Sequence, residues 1–224
     1  MAGDGRIGVV VGATGLVGSH IVRQLLDDAR VAEVVVLARR ATGVEHAKLS
    51  EHVVDFDQPA AWRHLVRGDA LFSAMGTSRR AAGGREAQYK VDHTYQLQVA
   101  EAGATSGVST YVLISSVGAR LGSPSFYLRM KAELERDVAA LGLRRACILR
   151  PGPLAGEREE RRRGEEVTAA VLRVLPRWRA LAGVRPVQGA DVARAAIEAA
   201  WGADPEPGTH IITPADIFRL AAAA

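Results

Sequence analysis

The sequence predicts a doubly wound α/β fold, built on a mainly parallel sheet that is covered by helices on both faces. Short runs of apolar, often β-branched residues alternate with amphipathic segments along most of the chain. The runs are apolar almost throughout, which is typical of parallel strands that are buried on both faces. The first run leads into a glycine-rich turn at residues 12–18, as in nucleotide-binding folds of this class. With 224 residues and no long linker, we expect one domain, 1–224.

The first half of the chain is predicted to contain four strands and three helices. Apolar runs predict the strands, and the third is the weakest because it is short and partly polar. Apolar residues at helical spacing predict the helices, one of which begins at a proline. The predicted strands are 6–11, 33–37, 51–54 and 69–74, and the predicted helices are 16–28, a helix from Pro59, and 86–104.

The second half repeats the alternation with one interruption. Strands are predicted at 110–115, 146–149 and 210–213, and helices at 125–141, 165–175, 191–201 and from Pro214. Pro151 ends the second of these strands, and Asp191 is predicted to be the N-cap of its helix. Residues 152–189 break the strict alternation and are rich in Arg, Gly and Pro. We therefore predict a small substrate-side excursion there and not a second domain.

Composition narrows the possible functions. A hydrophobic content of 48% and a charged content of 24% suit a packed core with a soluble surface. The net charge is only +4, and acidic and basic residues are interspersed, so we expect no nucleic-acid binding. No apolar stretch approaches a membrane span, and the first residues lack the pattern of a signal peptide, so we expect no membrane partner. The single cysteine, Cys147, agrees with a cytoplasmic protein, and the six histidines show no metal-ligand spacing.

Three glycines lie between the first strand and the first helix at intervals of three residues: Gly12, Gly15 and Gly18. Glycines allow the backbone to turn sharply and to approach a pyrophosphate closely, and the last allows close packing of helix and strand. The start of the helix offers free N–H groups and the positive end of the helix dipole. We therefore predict that this turn binds the pyrophosphate of a dinucleotide cofactor.

Two arginines, Arg39 and Arg40, follow the second strand. In domains that prefer NAD, an Asp or Glu near this point holds the 2′-hydroxyl of the ribose. A carboxylate would repel a 2′-phosphate, whereas a guanidinium pairs with it through two hydrogen bonds. The charge at this position therefore predicts NADP(H) and not NAD(H).

Tyr127 and Lys131 are four residues apart in a predicted helix, so both side chains project from the same face. The lysine is unusual in this chain, because only Lys48, Lys90 and Lys131 among the 29 basic residues are lysines. An ammonium group beside a phenol stabilises the phenolate form and makes the tyrosine a usable acid and base. We therefore predict that the pair carries out proton transfer.

Taken together, these motifs resemble those of the short-chain dehydrogenase/reductase superfamily, and most closely its atypical group, typified by the Tat-interacting protein. The resemblance extends from Gly8 to about Phe218. The segments that carry it are 12–18, 37–40, 75–79, 114–118, 127–131 and 149–152. It implies a Rossmann domain that binds NADPH.

The resemblance also implies roles for the matching residues. Tyr127 would be the acid and base, Lys131 would bind the nicotinamide ribose and stabilise the phenolate, and Ser115 or Ser116 would orient the substrate oxygen. The usual spacing favours Ser116, although its separation of 11 residues from Tyr127 is slightly short. The implied cofactor contacts are Gly12, Thr14, Gly15, Leu16, Val17, Gly18, Arg39, Arg40, Ala74, Met75, Gly76, Tyr127, Lys131, Leu154 and Arg162.

Three functions are compatible with these observations. The first is an NADPH-dependent oxidoreductase that acts on a small carbonyl or alcohol substrate through a Ser-Tyr-Lys site. The second is a regulatory protein that binds NADPH and reports redox state to a partner without turnover. The third is a sugar-nucleotide epimerase with tightly held NAD, which the two arginines and the short region after Pro153 disfavour. We expect a monomer or a homodimer.

Overall fold

The computed structural model describes residues 5–155, 185–202 and 206–223. The described strands are β1 Arg6–Val11, β2 Val31–Ala38, β3 Leu49–Val53, β4 Ala70–Ser73, β5 Thr110–Ile114, β6 Arg145–Leu149, β7 Leu154–Ala155, β8 Val187–Gln188 and β9 Gly208–Ile212. Seven of them form one sheet in the order β3-β2-β1-β4-β5-β6-β9, with every pairing parallel, and β7 and β8 form a separate short pair. This arrangement confirms the predicted doubly wound fold.

Helices connect the parallel strands. The described helices are α1 Leu16–Asp27, α2 Pro59–Trp62, α3 Arg79–Ala82, α4 Arg85–Tyr89, α5 Tyr95–Ser106, α6 Phe126–Ala139, α7 Gly189–Trp201 and α8 Pro214–Ala222. A 3₁₀ turn, Arg63–Leu65, follows α2, and a π-helical turn, Lys90–Thr94, joins α4 to α5. The chain therefore follows the strand–helix–strand order that gives right-handed crossovers in parallel sheets.

The hydrophobic core consists of two layers, one on each face of the sheet. In β1, Val10 belongs to one layer, while Val9 and Val11 belong to the other, because successive side chains of a strand point to opposite faces. Residues of α1, α7 and α8 complete the first layer, and residues of α5 and α6 complete the second. The strands are thus buried on both faces, which explains why their sequences are apolar throughout.

The predicted strands are confirmed to within two residues at each end. The predicted long helix 86–104 is wrong in part, because the π turn interrupts it and separates α4 from α5. The prediction that Asp191 is an N-cap is also wrong. Helix α7 begins at Gly189 with Gln188 as its N-cap, and Asp191 lies in its first turn. The predicted helix 165–175 and most of the predicted excursion 152–189 lie outside the described residues.

The order of the strands fixes where a ligand can bind. β1 lies at the centre, with β2 on one side and β4 on the other, so the direction in which the sheet is wound reverses between β1 and β4. In open parallel sheets, ligands bind in the crevice outside the carboxyl ends of the strands at such a reversal. The glycine turn after β1 and the segments after β4 and β5 all lie at this edge.

Candidate active site at the carboxyl edge of the sheet

The turn between β1 and α1 is built on backbone contacts that exclude larger side chains. Gly12 has φ of +82°, and a Cβ atom there would lie 2.5 Å from the carbonyl carbon of Ala74. A Cβ atom on Gly18 would lie 2.7 Å from the carbonyl carbon of Gly12 and closer still to its oxygen. These two glycines therefore allow β1, the start of α1 and the segment after β4 to approach one another.

Gly15, the N-cap of α1, has a different environment. A Cβ atom there would meet its nearest neighbour, the carbonyl oxygen of Gly12, at 3.2 Å, which is a tight contact but much less severe than those at Gly12 and Gly18. Within the described part of the chain, no side chain caps this end of α1, and its first turn contains no acidic residue. Free N–H groups at a helix start form an anion site. The glycine turn, residues 12–18, and the free N–H groups at the start of α1 together form a cradle. This cradle fits a pyrophosphate of a dinucleotide cofactor.

The residues predicted to recognise a 2′-phosphate lie beside this cradle. Arg39 and Arg40 are exposed and directly follow β2, which pairs with β1. One carboxylate lies in the same region: Glu51 of β3 accepts a hydrogen bond from the backbone N–H of Thr42 at 2.8 Å. The structure therefore places the two arginines at the edge of the sheet where the prediction needs them.

The segment after β4, residues 74–77, is held in place from both sides. The backbone N–H of Ala74 donates to the carbonyl of Val11 at 3.0 Å and so continues the pairing of β4 with β1. The backbone N–H of Thr77 donates to the carboxylate of Asp92 at 2.8 Å, and the side-chain amide of Gln88 donates to the carbonyl of Thr77 at 3.1 Å. The predicted cofactor contacts Ala74, Met75 and Gly76 thus belong to a fixed segment next to the glycine turn.

The predicted proton-transfer pair lies at the start of α6. The hydroxyl of Ser125 caps this helix by accepting a hydrogen bond from the N–H of Leu128 at 3.5 Å. Tyr127, in the first turn, is 38% exposed, whereas Lys131, one turn later, is only 3% exposed. The ammonium of Lys131 donates to the carbonyl of Ile114, the last residue of β5, at 3.3 Å. The tyrosine is therefore accessible to a substrate, while the lysine is buried and held against the end of β5.

The two candidate serines have different surroundings. Ser115 is buried, and its hydroxyl donates a hydrogen bond to the carboxylate of Glu135, which is also paired with the guanidinium of Arg150. Ser116 is half-buried, and its hydroxyl lies 3.3 Å from the carbonyl of Val117. The side chain of Ser115 is thus occupied by a structural contact, which leaves Ser116 as the better candidate for a substrate.

Sequence reasoning missed two buried acidic residues at this site, Asp92 and Glu135. Glu135 follows Lys131 by four residues, so the spacing that placed Tyr127 and Lys131 on one face also places Glu135 there. Asp92 gave no comparable signal, because it lies in a segment whose apolar spacing predicts an uninterrupted helix. Burial raises the pKa of the Asp92 carboxyl, an effect that Lys131 opposes.

Two predicted cofactor contacts stay predictions. Leu154 belongs to β7, is 42% exposed and pairs through its backbone with Val187 of β8. Arg162 lies outside the described residues.

Metal-binding clusters and membrane-spanning helices are both absent from the described residues. There, no group of three or more His, Cys, Asp or Glu side chains comes together in a way that could bind a metal ion. In the same part of the chain, no helix combines the length and the apolar character needed to cross a bilayer. The groups that the fold does bring to the carboxyl edge are the glycine cradle, the tyrosine–lysine pair and the serines.

Comparison with known proteins assigns the chain to a family. Residues 9–185, more than half of the chain, match the model of the NAD dependent epimerase/dehydratase family. The chain belongs to this family. The match confirms the broader expectation from the motifs, a Rossmann protein related to short-chain dehydrogenases. It does not extend to the narrower resemblance to the Tat-interacting protein, which stays a prediction.

Two fungal relatives are similar over nearly their whole length. The mitochondrial protein fmp52 of Aspergillus fumigatus is 38% identical, with 94% of this chain and 96% of the relative covered. The mitochondrial protein FMP52 of Saccharomyces cerevisiae is 36% identical, with 96% of each covered. Both relatives are named as mitochondrial, which contradicts the expectation of a cytoplasmic protein. That expectation rests on a single cysteine, which excludes an internal disulfide but does not choose between reducing compartments.

Solved structures show the same fold. MoeE5 in complex with UDP-glucose and NAD has a TM-score of 0.70 at 18% identity, with 96% of this chain and 81% of that chain covered. An oxidoreductase of the short-chain dehydrogenase/reductase family from Burkholderia thailandensis has a TM-score of 0.67 at 20% identity, with 96% and 93% covered. At these identities the similarity establishes the fold.

Proposed function

We propose that the protein is an NADP(H)-dependent oxidoreductase that interconverts a small carbonyl compound and the corresponding alcohol. The observation that carries this proposal is the arrangement on α6, where an accessible Tyr127 stands one turn before a buried Lys131. Both residues lie at the edge of the sheet where the glycine cradle fits a dinucleotide. The resemblance also gives both residues a contact with the cofactor, so a measurement of turnover separates catalysis from binding alone.

Each residue of the site has a distinct task in carbonyl reduction. A bound nicotinamide cofactor supplies or accepts a hydride. Tyr127 donates the proton to the developing alkoxide oxygen, and takes it back in the reverse direction. Ser116 donates a hydrogen bond to the same oxygen and so orients it. Lys131 would bind the ribose of the nicotinamide and supply a positive charge on the same face of α6 as the phenol.

The preference for NADP(H) is part of this proposal. Arg39 and Arg40 are exposed after β2, at the carboxyl edge and next to the cradle. A guanidinium can bind the 2′-phosphate of NADP(H) through two charged hydrogen bonds. The 2′-hydroxyl of NAD(H) is uncharged and offers no such interaction. The motif resemblance to the atypical group typified by the Tat-interacting protein, whose members bind NADPH, supports the same preference.

The decisive experiment compares Tyr127→Phe with the unmodified protein in NADPH oxidation against a panel of small aldehydes and ketones. We expect turnover to fall at least about 100-fold, because general acid catalysis contributes about 10²–10⁴-fold. NADPH affinity, measured by fluorescence titration, should change little. Tyr111→Phe makes the same chemical change in the buried part of β5 and should leave turnover intact. Unchanged turnover in Tyr127→Phe would rule out the proposed chemistry.

A second candidate is a sugar-nucleotide epimerase, which the matching family and the similarity to a solved UDP-galactose 4-epimerase favour. Such an enzyme would retain NAD through purification and would interconvert UDP-sugars without net consumption of cofactor. Mass spectrometry of the ligand released from purified protein separates the two candidates. Released NAD together with epimerisation of a UDP-sugar would replace the reductase proposal. Tight NADPH binding without any turnover would instead indicate a regulatory protein.

A further inference from the structure

We propose that a pocket at the amino edge of the sheet binds a phosphate group, carried by inorganic phosphate or by a small phosphate ester. The pocket lies beside the C-terminal end of α7. Its lining includes Arg6, Arg144, Arg145, Asp69 and Trp201, and we call it the arginine pocket. The inference goes beyond the proposed function, because the oxidoreductase site lies at the opposite edge of the sheet.

The arginine pocket is separate from the glycine cradle. Arg6 is the first residue of β1, and the glycine turn begins at Gly12, directly after that strand. A strand rises about 3.3 Å per residue, so the two places are about 20 Å apart. Arg145 is the first residue of β6 and lies at the same edge as Arg6, because every pairing in the sheet is parallel. A ligand in the arginine pocket would therefore not occupy the cofactor site.

Two of the arginines converge on the end of α7. Two strands, β4 and β5, separate β1 from β6 in the sheet. Nevertheless, Nη1 of Arg6 donates to the carbonyl of Trp201 at 3.3 Å, and Nη1 of Arg145 donates to the carbonyl of Ala200 at 3.3 Å. These bonds stabilise the negative end of the helix dipole, but each uses one of the five N–H groups of a guanidinium. Further donors therefore remain for a ligand.

The arginine pocket has an excess of positive charge. In the described chain, none of its three arginines forms an ion pair with a carboxylate. Among the described residues that line the pocket, Asp69 supplies the negative charge, and its Oδ2 accepts a hydrogen bond from the backbone N–H of Ile7 at 2.7 Å. Three positive charges and one negative charge leave an excess of two. An anion bound between the guanidinium groups would reduce their mutual repulsion.

Two buried N–H groups of residues that line the pocket have no acceptor within the described part of the chain: Nε of Arg145 and Nε1 of Trp201. Trp201 is only 8% exposed. Its ring is held by Arg6, whose Cζ lies 5.5 Å from the ring centroid, and by Phe72, whose ring centroid is 5.7 Å away. Buried donors without an acceptor are rare and costly. A phosphate has several acceptor oxygens and would satisfy both the indole and the guanidinium donors.

The size of the arginine pocket limits the ligand. Its volume is about 230 Å³, which corresponds to about eight water molecules. Sites for drug-sized ligands are larger, about 300–1,000 Å³. The pocket therefore has room for one phosphate group with at most a small organic part.

The first test follows the indole N–H signal of Trp201 by 1H–15N NMR in the cofactor-free protein. Comparison with Trp201→Phe identifies the signal, and Trp62, buried on the other face of the sheet, is the internal reference. At constant ionic strength, inorganic phosphate or glycerol 3-phosphate should shift the Trp201 signal saturably, and acetate should not. Tighter binding of glycerol 3-phosphate would assign the pocket to a phosphate ester, and tighter binding of inorganic phosphate would assign it to the free ion. A Trp201 signal that does not move, or that moves equally with acetate, would overturn the proposal.

The second test changes the charge of the pocket in both directions. Arg144→Ala, at an exposed position, should weaken phosphate binding at least about 10-fold, because a charged hydrogen bond is lost. Arg67→Ala, also exposed at the amino edge but outside the pocket lining, should leave the affinity unchanged. Asp69→Asn keeps an acceptor for Ile7 but removes the negative charge, so it should bind phosphate about 2–5-fold more tightly. Equal affinities of the two arginine variants, or no gain in folded Asp69→Asn, would contradict the proposal.

Discussion

Replacement of Gly18 by alanine should destabilise the protein even though alanine is the better helix former. The new Cβ atom would lie 2.7 Å from the carbonyl carbon of Gly12, whereas carbon atoms in favourable contact are about 3.5–4.0 Å apart. The obstacle is backbone and not a flexible side chain, so the start of α1 and the turn after β1 must separate by about 1 Å. Both segments are held by the layer that contains Val10, Val17 and Ile21.

The size of the effect follows from two opposing contributions. Overpacking of a well-packed site costs about 1–3 kcal/mol. Alanine in place of glycine inside a helix gains up to about 1 kcal/mol. The net loss in the free energy of unfolding is therefore at most about 3 kcal/mol, and the middle of the range, about 1.5 kcal/mol, lowers Tm by about 3–6 °C for a domain of this size.

The measurement is urea unfolding and thermal unfolding of cofactor-free protein, followed by circular dichroism. Gly15→Ala is the matched control, because its Cβ atom would meet its nearest neighbour at 3.2 Å. That variant should lose less than about 1 kcal/mol, the cost of alanine at an N-cap, but should bind NADPH at least about 10-fold more weakly because the methyl group enters the phosphate cradle. If Gly18→Ala is as stable as the unmodified protein, the close contact with Gly12 is not what requires glycine. Undiminished NADPH binding by Gly15→Ala would refute the cradle.

Two further predictions concern charge. The double variant Arg39→Ala/Arg40→Ala should bind NADPH about 10–100-fold more weakly and NADH nearly as well as before, since each charged hydrogen bond contributes about 1.5–3 kcal/mol. The control is Arg67→Ala, because Arg67 is exposed at the opposite edge of the sheet. An equal loss of affinity for both cofactors would contradict a 2′-phosphate contact. A hydrogen bond from the side chain of Arg30 holds the pKa of Asp28 below its ordinary value of 3.8. The ionised pair therefore stabilises the protein above pH 3.8, and this stabilisation is lost as the pH falls through the lower pKa of the folded state. Asp28→Asn should therefore be less stable by about 1 kcal/mol at pH 7, in low salt, with the difference narrowing below pH 3.8; a difference that does not vary with pH would show that the charge is not responsible.

The sheet was largely predictable because its strands are buried on both faces. A run such as Arg6–Val11 has no polar residue in its second half, and the structure begins and ends β1 at the predicted residues. The last helix was predictable from Pro214, which follows the capping residue Thr213. The start of α7 was not, because a residue suited to capping, Asp191, lies inside the helix. Its true start at Gly189 packs closely on Leu16 of α1, a tertiary contact that local sequence does not reveal.

The site was predictable where chemistry depends on spacing along the chain. The three glycines and the pair Tyr127 and Lys131 show their relation in the sequence alone. Spacing places Glu135 on the same face of the helix as Lys131, but the sequence did not reveal that Glu135 and Asp92 are buried, because charged residues on helices are normally exposed. Their burial depends on partners that are distant in sequence, such as Thr77 and Arg150.

The position of β9 has a consequence for synthesis of the protein on the ribosome. β6 pairs with β5 on one side and with β9 on the other, and β9 is the last strand of this sheet in chain order. Until that strand has emerged, the outer backbone groups of β6 lack the neighbour that the described sheet gives them, and an open edge of this kind can pair with another chain. A nascent chain thus carries the glycine turn and an unfinished sheet edge at the same time. Early binding of a dinucleotide would stabilise the part already made while the last strand is still to come.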